Sequence, residues 1–448
     1  MRQSLVSSSQ MQRRTKRDVG SHLSSVGTPL TFLLTGFTWL AGSFLLGIAL
    51  IIGLLYGTPL PQWLKPMHVH GALVGGILQL AIGSLLLSLA RFSDRKDTSV
   101  QPRSVLFLAL NVATAGLLFS FWLGNMTAAG LVGLLLGGIV LSLAKPAWVH
   151  VGTAFNEPAG AGWIYRIALA ALVVGVAAAI ALAFRLTDGY YAHVRLAHIH
   201  LLVLGFVTVT FLVALQQLLP VLLEQPATLG RMTHIALWSL PAGFGALLGA
   251  FLMSAVWLEV AVGCLLVVSI ALCTFHLIGI WMKAGSPGTA ATDHLLIAAF
   301  FLFLAAATGL AMGANYLRNP PLLPIGSLHL VAYTHLAFIG FVTQGVFGGL
   351  SFYVPELLAV TRVQNSAKRQ AYRAQLDAIM NRWRTVQLAG LSLGTMALSV
   401  LASLIWSLPL GSPFVQSTVW VAAGLLTVSL ALFIAKLAWA VGLRPSSS

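Results

Sequence analysis

Residues 197–220 read AHIHLLVLGFVTVTFLVALQQLLP, and two further stretches share that wording: HVHGALVGG at 68–76 and THLAFIGFVT at 334–343. His70, His200 and His335 each stand five residues before a glycine, Gly75, Gly205 and Gly340. Each opens an apolar run that is long enough to cross a bilayer as helix. An imidazole at membrane depth is costly unless it is paired or ligated, so three at matching depth mark a site. Working outward, the histidines are 130 and 135 residues apart, which makes the chain three copies of one unit.

Composition sets the environment. The 448 residues are 58% hydrophobic and 8% charged, with a mean hydropathy of +0.91, values outside the range of a water-soluble globule. The pattern predicts an all-α polytopic membrane protein. About twelve apolar runs of roughly 20 residues emerge, each the length of a membrane-crossing helix. They lie near 31–56, 68–90, 104–123, 127–145, 163–184, 195–220, 233–254, 256–282, 292–314, 328–355, 385–407 and 415–440. None alternates as a barrel strand would. The three histidines then fall on the second, sixth and tenth helices of a single domain, 30–440, built of four-helix units near 30–145, 163–282 and 292–440.

Basic residues gather at Arg13, Arg14, Lys16 and Arg17, at Arg91, Arg95, Lys96 and Arg103, and at Arg362, Lys368, Arg369, Arg373, Arg382 and Arg384. By the positive-inside rule these segments are expected to be cytoplasmic, with both termini inside and the three histidine sites near the outer face. A bacterial plasma membrane is the expected location. The net charge of +15 borders helices and forms no patch interleaved with aromatics, which argues for anionic lipid as partner and against nucleic acid. The polar, basic tail 1–29 precedes a first run that is too long for a cleaved signal, so a retained anchor is expected. The insertion 356–384 is read as a solvated basic loop at the lipid surface, with an amphipathic helix as the alternative. Cys264 and Cys273, nine apart inside one run, suit neither a disulfide nor a thiolate metal site.

Residues two apart on a helix diverge by about 200°, so His68 and His70, or His198 and His200, look into opposite clefts. The tenth helix keeps His335 but has Tyr333 where the other units have His68 and His198. His150, His276 and His294 read as helix-packing histidines, Tyr190, Tyr191 and Trp63 as interfacial anchors, and Glu157 and Glu259 as helix-end groups.

These residues resemble subunit I of the heme-copper oxidases, whose twelve helices form three pseudo-symmetric groups with active helices 2, 6 and 10. AHIHLLVLGFVTVTFLVALQQLLP, and more loosely YTHLAFIGFVTQGVFGGLSFYVPEL at 333–357, are similar to the tenth helix of the C-type oxidases. KPMHVH at 65–70 resembles the second-helix motif that carries a low-spin heme ligand. HLLVLG at His200 is similar to the sixth-helix motif of the nitric oxide reductases, with Leu204 in place of their acidic residue. The resemblance implies a heme b held between His335 and a second-helix histidine. Matching by repeats selects His70 and the KPMH wording selects His68; the shared glycine offset favours His70.

The chain departs from the family at the distal site. It has no His-His pair, its His234 falls at the far end of the seventh helix, and Tyr333 replaces the high-spin ligand. His193, His198 and His200 are expected to bind a second heme, or copper, zinc or iron, with His329 or Tyr333. The function expected is a heme redox protein that relays electrons or reduces O₂ or NO. Its alternative is a non-enzymatic heme and metal protein of the NO-response type, followed by a transporter. Electrons would come from a c-type cytochrome on the outer side, because no CxxCH motif occurs here. The scarcity of acids at membrane depth argues against proton pumping.

Overall fold

A computed structural model describes residues 27–92, 103–154, 160–226, 228–321, 323, 327–404 and 407–445. The chain is an all-α membrane protein, and among these residues twelve helices are long and apolar enough to span a bilayer. They are α1 (Gly27–Leu55), α2 (Leu64–His70, Gly71–Leu78 and Gln79–Phe92), α3 (Arg103–Trp122), α4 (Met126–Ala154), α5 (Ala161–Ala183) and α6 (Tyr191–His200, Leu201–Thr208 and Val209–Leu222). The second half holds α7 (Arg231–Leu252), α8 (Val256–Lys283), α9 (Ala290–Asn315), α10 (Ser327–His335, Leu336–Thr343 and Gln344–Arg362), α12 (Arg384–Leu404) and α13 (Pro413–Gly442). Between α10 and α12 lies one short helix, α11 (Ser366–Asn381). Of the basic residues read as cytoplasmic, the first cluster and Arg95 and Lys96 lie outside the described residues, as does Glu157.

The middle pieces of α2, α6 and α10 are π-helical, each eight residues long. Each begins at the residue after the repeated histidine, so the repeat seen in the letters is also a repeat of backbone geometry. Thr208 and Thr343 close the wide turn at equivalent places, each hydroxyl donating five residues back, to Val203 and Phe338, at 2.9 Å. The repeated glycines admit aromatic rings from neighbouring helices. A Cβ built on Gly75, Gly205 or Gly340 would come within 2.7 Å of Trp39, 2.5 Å of Phe244 or 2.4 Å of Phe301. A wide turn beside an inserted ring is a recurrent way to re-aim a functional side chain.

Successive helices pack on one another around the molecule, and α13 returns to α1 and α10. That closure is aromatic: Phe347 of α10 stacks on Phe433 of α13 at 4.0 Å, and Phe37 of α1 meets Phe433 edge-on at 5.3 Å. With twelve crossings, α1 begins and α13 ends at the same end of the bundle. We call this the basic end, and the opposite one the histidine end.

The insertion 356–384 forms a docked helix rather than the expected loop. Asn365 caps α11 by accepting from the amides of Ala367 and Lys368. Its apolar face, Tyr372, Leu376, Ile379 and Met380, is buried against the bundle. Tyr372 donates to the carbonyl of Leu443 at 2.7 Å, and Asn381 accepts from the first amide of α9, Ala290, at 2.7 Å. The loop reading failed because polar residues facing solvent dominate this segment, and its four apolar positions find their partners only in the tertiary structure.

Candidate functional site

Five histidines at the histidine end share one hydrogen-bonding habit. His70, His200 and His335 point Nδ1 at the carbonyl four residues earlier, those of Pro66, Leu196 and Val331, at 2.9, 2.9 and 2.7 Å. His68 and His198 instead reach the preceding span, to the carbonyls of Ser43 on α1 and Gly175 on α5, at 2.7 and 2.9 Å. A carbonyl only accepts, so Nδ1 carries the proton in all five and Nε2 is left with its lone pair. No hydrogen bond reaches any of these Nε2 atoms from the described residues. An imidazole held in this way keeps Nε2 available to accept a hydrogen bond or to ligate a metal.

The unit-wise correspondence extends to the exception. Tyr333 takes the place of His68 and His198 in the third unit, its ring against Gly309 of the preceding span, α9. His68 likewise lies against Gly47 of α1. His70 rests on Phe121 of α3 and His200 on Phe251 of α7, with ring centroids 4.7 and 4.6 Å apart.

Two pairs of these histidines interact electrostatically between helices. His335 of α10 lies in electrostatic range of His68 of α2, and His70 of α2 in range of His198 of α6. The first and second histidines of α2 diverge, His68 toward Ser43 of α1 and His70 onto Phe121 of α3. The electrostatic neighbour of His335 on α2 is His68. The segments carrying these residues pack on α1, α3, α5, α7, α9 and α12 and not closely on one another, and the rings remain half-buried. Each of these rings is thus held from one side and keeps an unengaged Nε2, the atom an imidazole offers a metal.

The comparisons give no family. No family model matches the chain, and no curated protein matches it.

The three-imidazole metal set expected from His193, His198 and His200 is not assembled. Among the described residues no three His, Cys, Asp or Glu side chains gather as a metal site. His193 bonds through Nε2 to Ser254 at 2.8 Å, while His198 and His200 diverge to opposite clefts. His329 sits near the start of α10, six residues before His335. His234 lies in the first turn of α7, at the basic end. The side chain of His150 lies outside the described residues. His276 stays alone on α8, its Nε2 buried without a partner in the described residues.

Sequence reading missed a second polar cluster, nearer the basic end. His294 of α9, wholly buried, donates from Nδ1 to Gln344 Oε1 of α10 and accepts at Nε2 from Gln387 of α12 at 2.9 Å. Gln387 accepts in turn from Lys436 of α13 at 2.6 Å, and Lys436 also donates to the Met380 carbonyl at 3.1 Å. Gln344 completes the chain by donating to Ser392 at 3.0 Å. Lys436, 2% exposed, has no carboxylate partner among the described residues. Its signal in the sequence was a lone cation inside the apolar run 415–440.

Proposed function

We propose that this chain is a heme-binding membrane redox protein with the architecture of heme-copper oxidase subunit I, holding a b-type heme between His68 and His335. The observation that carries the reading is the pair itself: two imidazoles on different helices, each proton-fixed at Nδ1 with Nε2 unengaged, lie in electrostatic range of one another. A heme held by these two imidazoles would supply single-electron transfer with no position left open for substrate. The chain's own part is to hold both rings in one tautomer, to keep them apart on rigid helices, and to surround them with apolar side chains that exclude water.

Electron relay is the form of the activity favoured here over reduction of O₂ or NO, because Tyr333 stands where the repeat has histidine and the remaining imidazoles are divided between clefts. A non-enzymatic heme protein of the NO-response type is the second reading, favoured by the same substitution. On the positive-inside argument the heme lies toward the outer leaflet, where a c-type cytochrome would exchange electrons with it.

The test is spectroscopic. Protein purified in detergent after heme-replete expression is expected to give a low-spin b-type reduced-minus-oxidised spectrum, and the same bis-imidazole component is lost from it in both His68→Ala and His335→Ala. Purified protein without heme would overturn the reading.

A further inference from the structure

We propose that Arg382, at the junction of α11 and α12, binds the headgroup phosphate of an anionic phospholipid, with Trp383 and Trp439 as the walls of the site. The inference does not rest on the heme reading and concerns the opposite end of the bundle.

Five arginines stand between the end of α10 and the start of α12, and four of them are spent on the protein itself. Arg362 donates to the carbonyls of Val441 and Leu443 and to the Tyr372 hydroxyl, and Arg369 to the carbonyls of Val363 and Gln364. Arg373 pairs with Glu356 and Asp377, and Arg384 with Asp293 at 3.5 Å. Of the five, only Arg382 has a side chain that donates to no acceptor among the described residues. It is exposed, and its guanidinium carbon lies 4.5 Å from the ring centroid of Trp383 and 5.2 Å from that of Trp439.

Depth and charge select the ligand class. Trp439 stands in the last turn of α13 and Trp383 one residue before α12, so both indoles lie where spans meet headgroups, and they are 46% and 51% exposed. Trp383 holds a left-handed backbone, φ 52°, which a residue with a Cβ adopts only at a cost. That backbone sets an exposed indole beside Arg382 and not into the core. Two rigid rings hold the guanidinium in place by cation–π attraction and leave its N–H fork to an acceptor, for which a phosphate is the matching shape. Since Arg384 is balanced by Asp293, and Glu356 and Asp377 by Arg373, Arg382 carries the uncompensated charge of this surface. By the positive-inside argument this end meets the cytoplasmic leaflet, the anionic one. A free phosphate would meet the same donors, but only a lipid also covers the indoles.

The experiment counts lipids. The purified full chain would be titrated with phosphatidylglycerol and with phosphatidylcholine, and the lipid retained per chain read by native mass spectrometry. A preference for phosphatidylglycerol of about fivefold is expected in the parent, one cation's worth of attraction to an anionic lipid. Arg382→Gln should bring the two lipids close to parity. Arg382→Lys decides where Arg382→Gln does not fold: an ammonium cannot make the bidentate contact, so the preference should fall by about half or more. Arg166 lies over Trp148 and Trp163 in a similar way, but its Nε is tied to the Trp148 carbonyl at 2.9 Å, so Arg166→Gln should leave the preference in place. No preference in the parent, an unchanged preference in the Arg382 variants, or one lost only in Arg166→Gln overturns the inference. Inorganic phosphate in excess should leave phosphatidylglycerol bound, and its displacement by phosphate alone would overturn the assignment to a lipid.

Discussion

At the residue scale, what separates site from scaffold is which nitrogen each histidine leaves open. His294 spends both on glutamines, whereas His68, His70, His198, His200 and His335 spend only Nδ1. The sequence showed the five, because they sit at fixed offsets in a repeat. It hid the His294 cluster, whose members lie on α9, α10, α12 and α13 with no common spacing. His294→Ala strands two buried amides, and a loss of roughly 2–4 kcal/mol is expected from chemical unfolding in detergent. Lys436→Met removes a buried cation that lacks an acid and should cost far less than Lys436→Ala, since an apolar chain of similar length fills the same space. Gln79, also wholly buried, has both side-chain polar atoms without partners among the described residues. Gln79→Leu is therefore expected to raise stability by about 1 kcal/mol, read as a higher melting midpoint. A drop would mean that the amide has a partner.

At the element scale, the apolar runs announced nearly every span, because a bilayer leaves a backbone little choice but helix. The π turns were not legible: a one-residue widening leaves composition and length unchanged, and it shows only as a shift in which side chains share a face. Gly205→Ala places a Cβ within 2.5 Å of Phe244 and 2.8 Å of Ala171. A cost of about 1–3 kcal/mol follows, as for overpacked cores. Outside the membrane, burial pushes the Asp377 carboxyl above the usual carboxylate range against the pull of Arg373. A raised pKa in the fold favours the protonated form, so Asp377's contribution is complete at acid pH and falls away as the pH rises through that value. Asp377→Asn should thus gain on the parent in melting midpoint between acid and neutral pH.

At the scale of the whole molecule, three units close around an axis, and the hand of that closure decides which cleft each histidine enters. Spacing showed that His68 and His70 face opposite ways but not which of them turns toward α10; the glycine offset chose His70, whereas His68 is the one in electrostatic range of His335. The same closure brings α13 back to α1, and it places α11 across the basic end, where Arg362 donates to the carbonyls of Val441 at 2.8 Å and Leu443 at 2.7 Å. The central claim is that His68 and His335 ligate one iron, and a double-variant heme count tests it most directly. Two ligands of the same heme are not independent, so His68→Ala/His335→Ala should hold as much heme per chain as either single variant. Full heme retention in His68→Ala, or a double variant with less heme than both singles, would contradict the account.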